Sequence, residues 1–172
     1  MTRVQEPNLG TDASPKEVAN MPSTTIRLSQ DAAIVLGLAR TAVPFAGSRD
    51  DEAERWVRVM RMHGQVGLAM QALGVGEAPL ESPAVPRAVR VLHERDTQGR
   101  VVEEVSARAM QLAAERRAQL VSTVDIFFAV LDLYGTSFER ALYARGTTRL
   151  EMIQELCRDG FPVPAPYGGI SA

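Results

Sequence analysis

Hydrophobic residues recur along most of this chain with the three-to-four-residue spacing of an amphipathic α-helix. In the clearest case, residues 122–131, a Ser-x-x-Asp start precedes an almost continuous apolar run. About ten residues later, a shorter apolar segment over residues 141–146 ends on glycine. The pattern predicts a capped helix followed by a short helix with a glycine at its C-terminal end.

A weaker copy of this pattern lies upstream. Residues 54–60 and 69–74 repeat the apolar helix and the glycine ending, about 71 residues before their counterparts. A supersecondary unit that is used twice indicates one repeat architecture. We therefore expect an all-α fold, in which two tandem four-helix repeats, eight helices in total, pack as one domain with a pseudo-two-fold axis.

Serine and threonine residues mark most of the expected helix starts. Ser29 is expected to cap the first helix. The residues expected on the inner face of that helix are Ala32, Ala33, Leu36 and Ala39. Later helices are expected to begin at Ser/Thr-x-x-acid boxes, namely Ser48 with Asp51, Ser122 with Asp125, Thr136 with Glu139 and Thr148 with Glu151.

Glycine and proline residues are expected to separate the helices. The expected breaks in the first half are Pro44 with Gly47, Gly64 and Gly74. Ser82 and Pro83 should open a fourth helix, and residues 96–99 should form a turn before a long helix over residues 101–120.

Both ends of the chain lack helical periodicity. Residues 1–27 are expected to form a flexible N-terminal arm, and residues 159–172 a Pro/Gly-rich tail of polyproline-like or disordered structure. Residues 28–158 would then form the double-repeat domain, with repeat 1 over about 28–97 and repeat 2 over about 98–158.

The amino-acid composition limits the classes of fold and partner that this chain can have. A hydrophobic content of 45% with only 5% aromatic residues favours a helical core of Ala, Leu, Val and Met. A net charge of −2 gives no overall attraction to nucleic acid or anionic lipid. The single cysteine, Cys157, excludes an internal disulfide. Neither a signal-like segment nor an apolar run long enough to span a membrane is seen, so a cytoplasmic location is expected.

The two motifs make this chain resemble the Clp N-terminal repeat domain, which precedes the ATPase modules of Clp-type unfoldases. Members of that family carry a Thr-Glu-His-Leu-Leu-Leu-type motif and an Ala-Leu-x-x-Leu-Gly-type ending, each in two copies. Here residues 123–131 read Thr-Val-Asp-Ile-Phe-Phe-Ala-Val-Leu, and residues 69–74 read Ala-Met-Gln-Ala-Leu-Gly. The resemblance covers roughly residues 28–157. It implies a non-catalytic binding protein whose partner is a Clp ATPase, protease, adaptor or substrate.

The chain also departs from the family. It has no Gly-x-x-x-x-Gly-Lys-Ser/Thr loop, so we expect no ATP binding and a stand-alone, accessory or adaptor-like role. In some family members, each repeat offers an acidic pocket for phosphoarginine-marked proteins, formed by a hydroxyl and the motif glutamate. Ser29 and Glu54 match these positions in the first repeat, whereas Gly99 and Val124 stand there in the second. The plainer interpretation is a helix cap and a solvated acid.

A second class of function is a helical DNA-binding or regulatory protein. Arg55, Arg58 and Arg61 share one helix face, and Arg55 and Arg58 join Ser29 and Glu54 as candidate binding residues. Four acidic residues at positions 50–54 make a salt-bridged surface the plainer interpretation, so nucleic acid is not the expected partner.

An enzyme is not expected. The two histidines, His63 and His93, lack the further ligands or partners that a metal site or a catalytic triad needs. Cys157 lies between Glu155 and Asp159, which do not favour a thiolate. We therefore expect no catalytic residue, no metal and no cofactor, and the sequence leaves the oligomeric state open.

Overall fold

A computed structural model describes residues 26–76, residues 95–161 (backbone only over 95–99), Pro164 and Tyr167. Apart from one pair of two-residue strands, the regular structure of these residues is helical, so the predicted all-α class is confirmed. The elements in chain order are β1 (Arg27–Leu28), α1 (Gln30–Ala42), a 3₁₀ turn (Val43–Phe45), α2 (Arg49–Met60), α3 (Gly64–Ala72), α4 (Arg95–Glu115), β2 (Leu120–Val121), α5 (Thr123–Tyr134), α6 (Thr136–Tyr143) and α7 (Arg149–Arg158).

Most of the predicted helix starts are confirmed. The Ser29 hydroxyl accepts from the backbone N–H of Ala32 at 3.2 Å, and Ser48 caps α2 in the same way. The helices α5 and α7 begin with complete capping boxes, in which the N-cap hydroxyl and the acidic residue three positions later each accept from a backbone N–H. Local side-chain chemistry therefore fixes where four helices begin.

Three predictions about helix boundaries are wrong. Thr136 does not cap α6, because Gly135 is the N-cap and no side chain bonds to that helix start. Residues 96–99 do not form a turn, since α4 already begins at Arg95. The long helix also stops at Glu115 rather than at 120. Arg117 adopts a left-handed conformation with φ of 57°, and the chain continues into β2.

The inner face of α1 differs from the expected one at one position. Ala32, Leu36 and Ala39 are buried as predicted, but Ala33 is exposed and Val35 is buried instead. The predicted fourth helix, which begins at Ser82 and Pro83, lies outside the described residues. Seven of the eight expected helices are therefore seen in the described part of the chain.

The helix α5 forms the centre of the hydrophobic core. It contacts α1, α2, α3, α4 and α6, and its residues are buried on all sides from Thr123 to Leu131. Phe127 and Phe128 are both fully buried although adjacent helix residues point about 100° apart. The prediction that this helix is central to the bundle is confirmed.

Two short strands join the beginning of the described chain to the region before α5. Strands β1 and β2 run parallel, with Arg27 opposite Leu120 and Leu28 opposite Val121. The sequence did not predict this pair, because two residues are too few to show a strand period. Ile26 packs against the core and Arg27 lies in a strand, so these two residues, which the sequence assigns to the flexible arm, are part of the folded domain.

Two aromatic residues of the predicted Pro/Gly-rich tail contact the folded domain. Phe161 and Tyr167 pack against the hydrophobic core, where their rings add apolar contact area. Within the described residues, no helix is both long enough and apolar enough to cross a membrane.

Candidate functional site

A cavity of about 380 Å³ opens where the first residues of α1, α3 and α5 meet the end of α4. This volume falls within the usual range of small-ligand and peptide-side-chain pockets. Polar and apolar side chains both line it. The lining residues are Ser29, Gln65, Arg116, Ala118, Gln119, Leu120, Ser122, Val124 and Phe161.

The paired strands place two helix caps side by side at this cavity. Ser29 follows Leu28 and Ser122 follows Val121, and these two preceding residues are partners in the parallel ladder. The Ser29 N–H donates to the Val121 carbonyl at 2.9 Å, which fixes the start of α1 against the start of α5. Two helix N-termini therefore meet at one point, where backbone N–H groups favour acceptors.

A buried carboxylate, that of Asp125, partly neutralises the positive electrostatic potential of these helix N-termini. Asp125 is only 2% exposed and accepts two hydrogen bonds from Ser122, from its N–H at 2.7 Å and from its hydroxyl at 2.8 Å. The guanidinium of Arg116 closes the group with a two-pronged contact, from Nε to Oδ1 at 2.8 Å and from Nη2 to Oδ2 at 2.5 Å. Arg116 is thereby held in a fixed orientation in the cavity wall.

The start of α3 is fixed by a buried threonine. The Thr123 hydroxyl donates to the amide oxygen of Gln65 at 2.9 Å, which orients the Gln65 side chain at the cavity. Gly64 makes the close approach possible, since a Cβ at this position would lie 2.7 Å from the Thr123 side chain. Its φ of +60° also favours glycine.

The structure does not place the two residues of the predicted acidic pocket in one cavity. Ser29 lines the cavity together with Val124, whereas Glu54 is not among its lining residues. Glu54 instead accepts from Arg145 at 2.8 Å, and the Arg145 side chain is only 3% exposed. Glu54 thus binds a guanidinium that belongs to the chain itself, and an arginine-like ligand would have to displace it.

The two candidate arginines of α2 have different surroundings. Arg55 donates to both oxygens of Asp51 at 3.2 Å and to the Ala42 carbonyl at 2.7 Å, so it ties α2 to the end of α1. Partial burial works against ionisation of Asp51, but the bonds from Arg55 and the Gly47 N–H outweigh it and lower the pKa of Asp51. Arg58 is mostly exposed and lies 4.0 Å from Glu54.

A second polar group lies inside the core between α2 and α5. The Tyr134 hydroxyl accepts from the Trp56 indole N–H at 3.2 Å and donates to Glu52 at 2.9 Å. Burial is the main cause that raises the pKa of Tyr134 above its ordinary value. Every partner of this hydroxyl is a fixed side chain, so the group is a structural link between the two helices.

The remaining candidate side chains are scattered. His63 precedes α3 as its N-cap residue and makes no side-chain cap bond, and His93 lies outside the described residues. Cys157 is exposed on α7. Over residues 26–76 and 100–161, no group of three His, Cys, Asp or Glu side chains lies close enough to hold a metal ion.

Sequence reasoning missed most of the cavity. Arg116, Gln119 and Leu120 come from the stretch between α4 and α5, which the sequence pattern predicts to be largely helical. The capping box at Ser122 and Asp125 is the one sequence signal in this region, and it predicts only a helix start. Comparison of the chain with protein-family models, curated proteins and solved structures gave no match.

Proposed function

We propose that this chain is a non-catalytic protein-binding module of the Clp N-terminal type, which recognises a substrate, an adaptor or a Clp component. The observation that carries the proposal is the cavity between the starts of α1 and α5. It combines the hydroxyl of Ser29, the amide of Gln65 and the guanidinium of Arg116 with apolar area at Leu120 and Phe161. Such a mixture suits a short peptide segment, because main-chain carbonyls need donors and side chains need apolar contact.

The tandem-repeat arrangement is part of the same proposal. Helices α3 and α6 end alike: Val75 N–H donates to the Met70 carbonyl, and Thr147 N–H donates to the Leu142 carbonyl. The glycine before each donor has a positive φ, 71° at Gly74 and 83° at Gly146. The same ending closes α4 and α7, where the Ala118 N–H donates to the Ala113 carbonyl and the Phe161 N–H donates to the Leu156 carbonyl, so it is the common helix end of this fold and does not by itself mark the repeats. The proposed correspondence rests on the order of the helices. Helices α1, α2 and α3 would correspond to α4, α5 and α6.

A cytoplasmic location and the absence of ATP binding belong to this proposal as predictions. The proposed partner is bound by surface contacts alone, so any unfolding or proteolysis would be carried out by another chain. The contacts of Arg55 do not support the DNA-binding alternative, because all three side-chain nitrogens of Arg55 already bond to groups within the protein.

Affinity capture with matched surface variants tests the proposal. The full-length chain is immobilised, exposed to cytosol of its source cells, and the retained proteins are identified by mass spectrometry. Leu120→Asp places a charge at the cavity rim, where Leu120 is exposed. We expect this variant to lose the specifically retained partner by at least about tenfold, since a charge in the apolar part of an interface removes a central contact.

The matched control is Leu68→Asp, because Leu68 is an exposed leucine on α3 that does not line the cavity. It should retain the same partner as the unmodified chain. A partner that Leu120→Asp retains in full, or that both variants lose equally, would place binding elsewhere and reject the cavity as the site.

A further inference from the structure

The C-terminal segment inserts one aromatic side chain into a defined position on the helical core. The ring of Tyr167 stacks on the ring of Phe128, with 4.8 Å between centroids and 26° between planes. The guanidinium carbon of Arg149 lies 5.1 Å from the centroid of the Tyr167 ring. Tyr167 therefore meets an aromatic face and a cation, the two partners that best complement a tyrosine ring.

The two receptor residues are held by contacts that do not involve Tyr167. Phe128 lies in α5 and also packs edge-to-face on Phe127 at 5.4 Å. Arg149 is the first residue of α7 and donates to Glu139 at 3.1 Å, so its guanidinium is oriented by a carboxylate from α6. Because both residues sit on helices of the core, the receptor surface is preorganised before any tyrosine binds.

A backbone hydrogen bond holds Tyr167 to the residue three positions before it, since the Tyr167 N–H donates to the Pro164 carbonyl at 2.9 Å. The sequence of residues 164–167 is Pro-Ala-Pro-Tyr. Prolines restrict the backbone in the unbound peptide as well, so little conformational entropy is lost when such a segment binds.

We propose that Phe128 and Arg149 form a recognition site for a tyrosine in a segment of Pro-x-Pro-Tyr sequence, and that Tyr167 of the same chain occupies this site in cis. A partner protein with a segment of this chemistry would have to displace Tyr167. A tethered segment acts at an effective concentration of the order of millimolar, so the chain's own tyrosine competes with the partner and weakens the apparent affinity of the site for it. This site is distinct from the proposed cavity, since neither Phe128 nor Arg149 lines it.

Peptide binding to the full-length chain tests the proposal. The probe is a fluorescein-labelled peptide with the sequence of residues 160–172, and binding is measured by fluorescence anisotropy. The Tyr167→Ala chain, which vacates the site, should bind the peptide saturably. The unmodified chain should bind it at least about tenfold more weakly, because its own tyrosine competes in cis. A peptide with alanine in place of tyrosine should bind neither chain.

Two arginine variants of α7 in the Tyr167→Ala background separate recognition from general stability. Arg149→Met should weaken peptide binding by about two- to fivefold, the range expected for loss of a cation over an exposed ring. Arg158→Met is the matched control, since Arg158 is on the same helix and pairs with Glu155. It should leave peptide binding unchanged.

Several results would overturn the proposal. They are absence of binding by a folded Tyr167→Ala chain, equal binding by that chain and the unmodified one, and equal binding of the peptide that lacks tyrosine. Circular dichroism establishes that the variant is folded. If it is not, the isotope-labelled unmodified chain is titrated with excess unlabelled peptide while the backbone N–H signal of its own Tyr167 is followed by NMR. The tyrosine peptide should displace Tyr167 and shift this signal, the alanine peptide should not, and no shift with the tyrosine peptide would reject the site.

Discussion

Arg145 donates to the carboxylate of Glu54 across 2.8 Å, and its side chain is almost completely buried beneath the surface that Glu54 shares with solvent. The contact joins the connection after α6 to the middle of α2. It also explains why Glu54 cannot act as an empty anionic acceptor: the carboxylate that the family resemblance suggested for a guanidinium ligand is already bound to a guanidinium of the chain.

Removal of this internal arginine should therefore destabilise the fold. Arg145→Ala should lower the free energy of unfolding by about 2–3 kcal/mol, because it removes buried side-chain packing and leaves Glu54 without its main partner. Arg140→Ala serves as the control, since Arg140 pairs with Asp50 on the surface and should contribute about 0–1 kcal/mol. Urea denaturation measures both. Equal losses for the two variants would contradict a special role of the buried pair.

The central position of α5 makes a strong prediction for its two adjacent phenylalanines. Phe127→Ala and Phe128→Ala should each cost about 3–5 kcal/mol of unfolding free energy, because each leaves a cavity in a close-packed core. Phe45→Ala is the matched control on an exposed ring and should cost less than about 0.5 kcal/mol. A loss below about 1 kcal/mol for both core variants in chemical denaturation would be incompatible with a central α5.

Two glycines with similar backbone angles should differ in their tolerance of a methyl group. Gly64 and Gly74 have φ of +60° and +71°, but only at Gly64 would a Cβ meet other atoms, with Thr123 at 2.7 Å. Gly74→Ala should cost about 1–2 kcal/mol, the strain of the left-handed conformation alone. Gly64→Ala should cost at least about 1–3 kcal/mol more, because α3 must move away from α5. Thermal and urea unfolding of both variants measure this difference in unfolding free energy. Equal losses of stability would show that the starts of α3 and α5 are not in contact.

The hydroxyl of Tyr134 should give the stability a dependence on pH at the alkaline end. Burial raises the pKa of Tyr134, so the folded protein keeps a proton that the unfolded chain loses above its usual value near 10. The stabilising contribution of Tyr134 is complete below that value and is lost as the pH rises beyond it. Relative to Tyr134→Phe, the unmodified protein should therefore lose stability between about pH 10 and 11.

The same substitution should also have an effect at neutral pH. Tyr134→Phe removes the acceptor of the buried Trp56 N–H and should cost about 1–2 kcal/mol. Tyr143→Phe, at an exposed tyrosine, should leave the stability at neutral pH unchanged. Denaturation curves measured from pH 7 to 11 test both statements. A constant difference between Tyr134→Phe and the unmodified protein across this range would contradict the raised pKa.

Much of the fold could be predicted because helix starts are encoded locally. The hydroxyls of Ser29, Ser122 and Thr148 each accept from a backbone N–H three residues later, so their capping roles follow from a short stretch of sequence. The prediction that Thr136 caps α6 is wrong for a reason that is also local. Its sequence fits a capping box, but Gly135 adopts a φ of +51° that starts the helix one residue earlier.

The candidate site could not be predicted, because it depends on contacts between distant parts of the chain. Ser29 meets Ser122 and Val124 through a strand pair of only two residues, which leaves no periodic signal. The partner of Glu54 is Arg145, ninety-one positions away, and no spacing rule points to it. Family resemblance assigns Glu54 and Ser29 to one pocket, whereas Glu54 pairs with Arg145 and does not line the cavity at Ser29.

Hydrogen–deuterium exchange of the full-length chain, with and without the partner obtained by affinity capture, tests the central claim most directly. If the partner binds the cavity between α1 and α5, exchange should slow in peptides that contain Ser29 and residues 119–124. Peptides that cover Arg58 on α2 and Tyr143 on α6 should exchange as in the free protein. Protection confined to the Arg58 or Tyr143 surface, with unchanged exchange at residues 119–124, would contradict the proposed binding site.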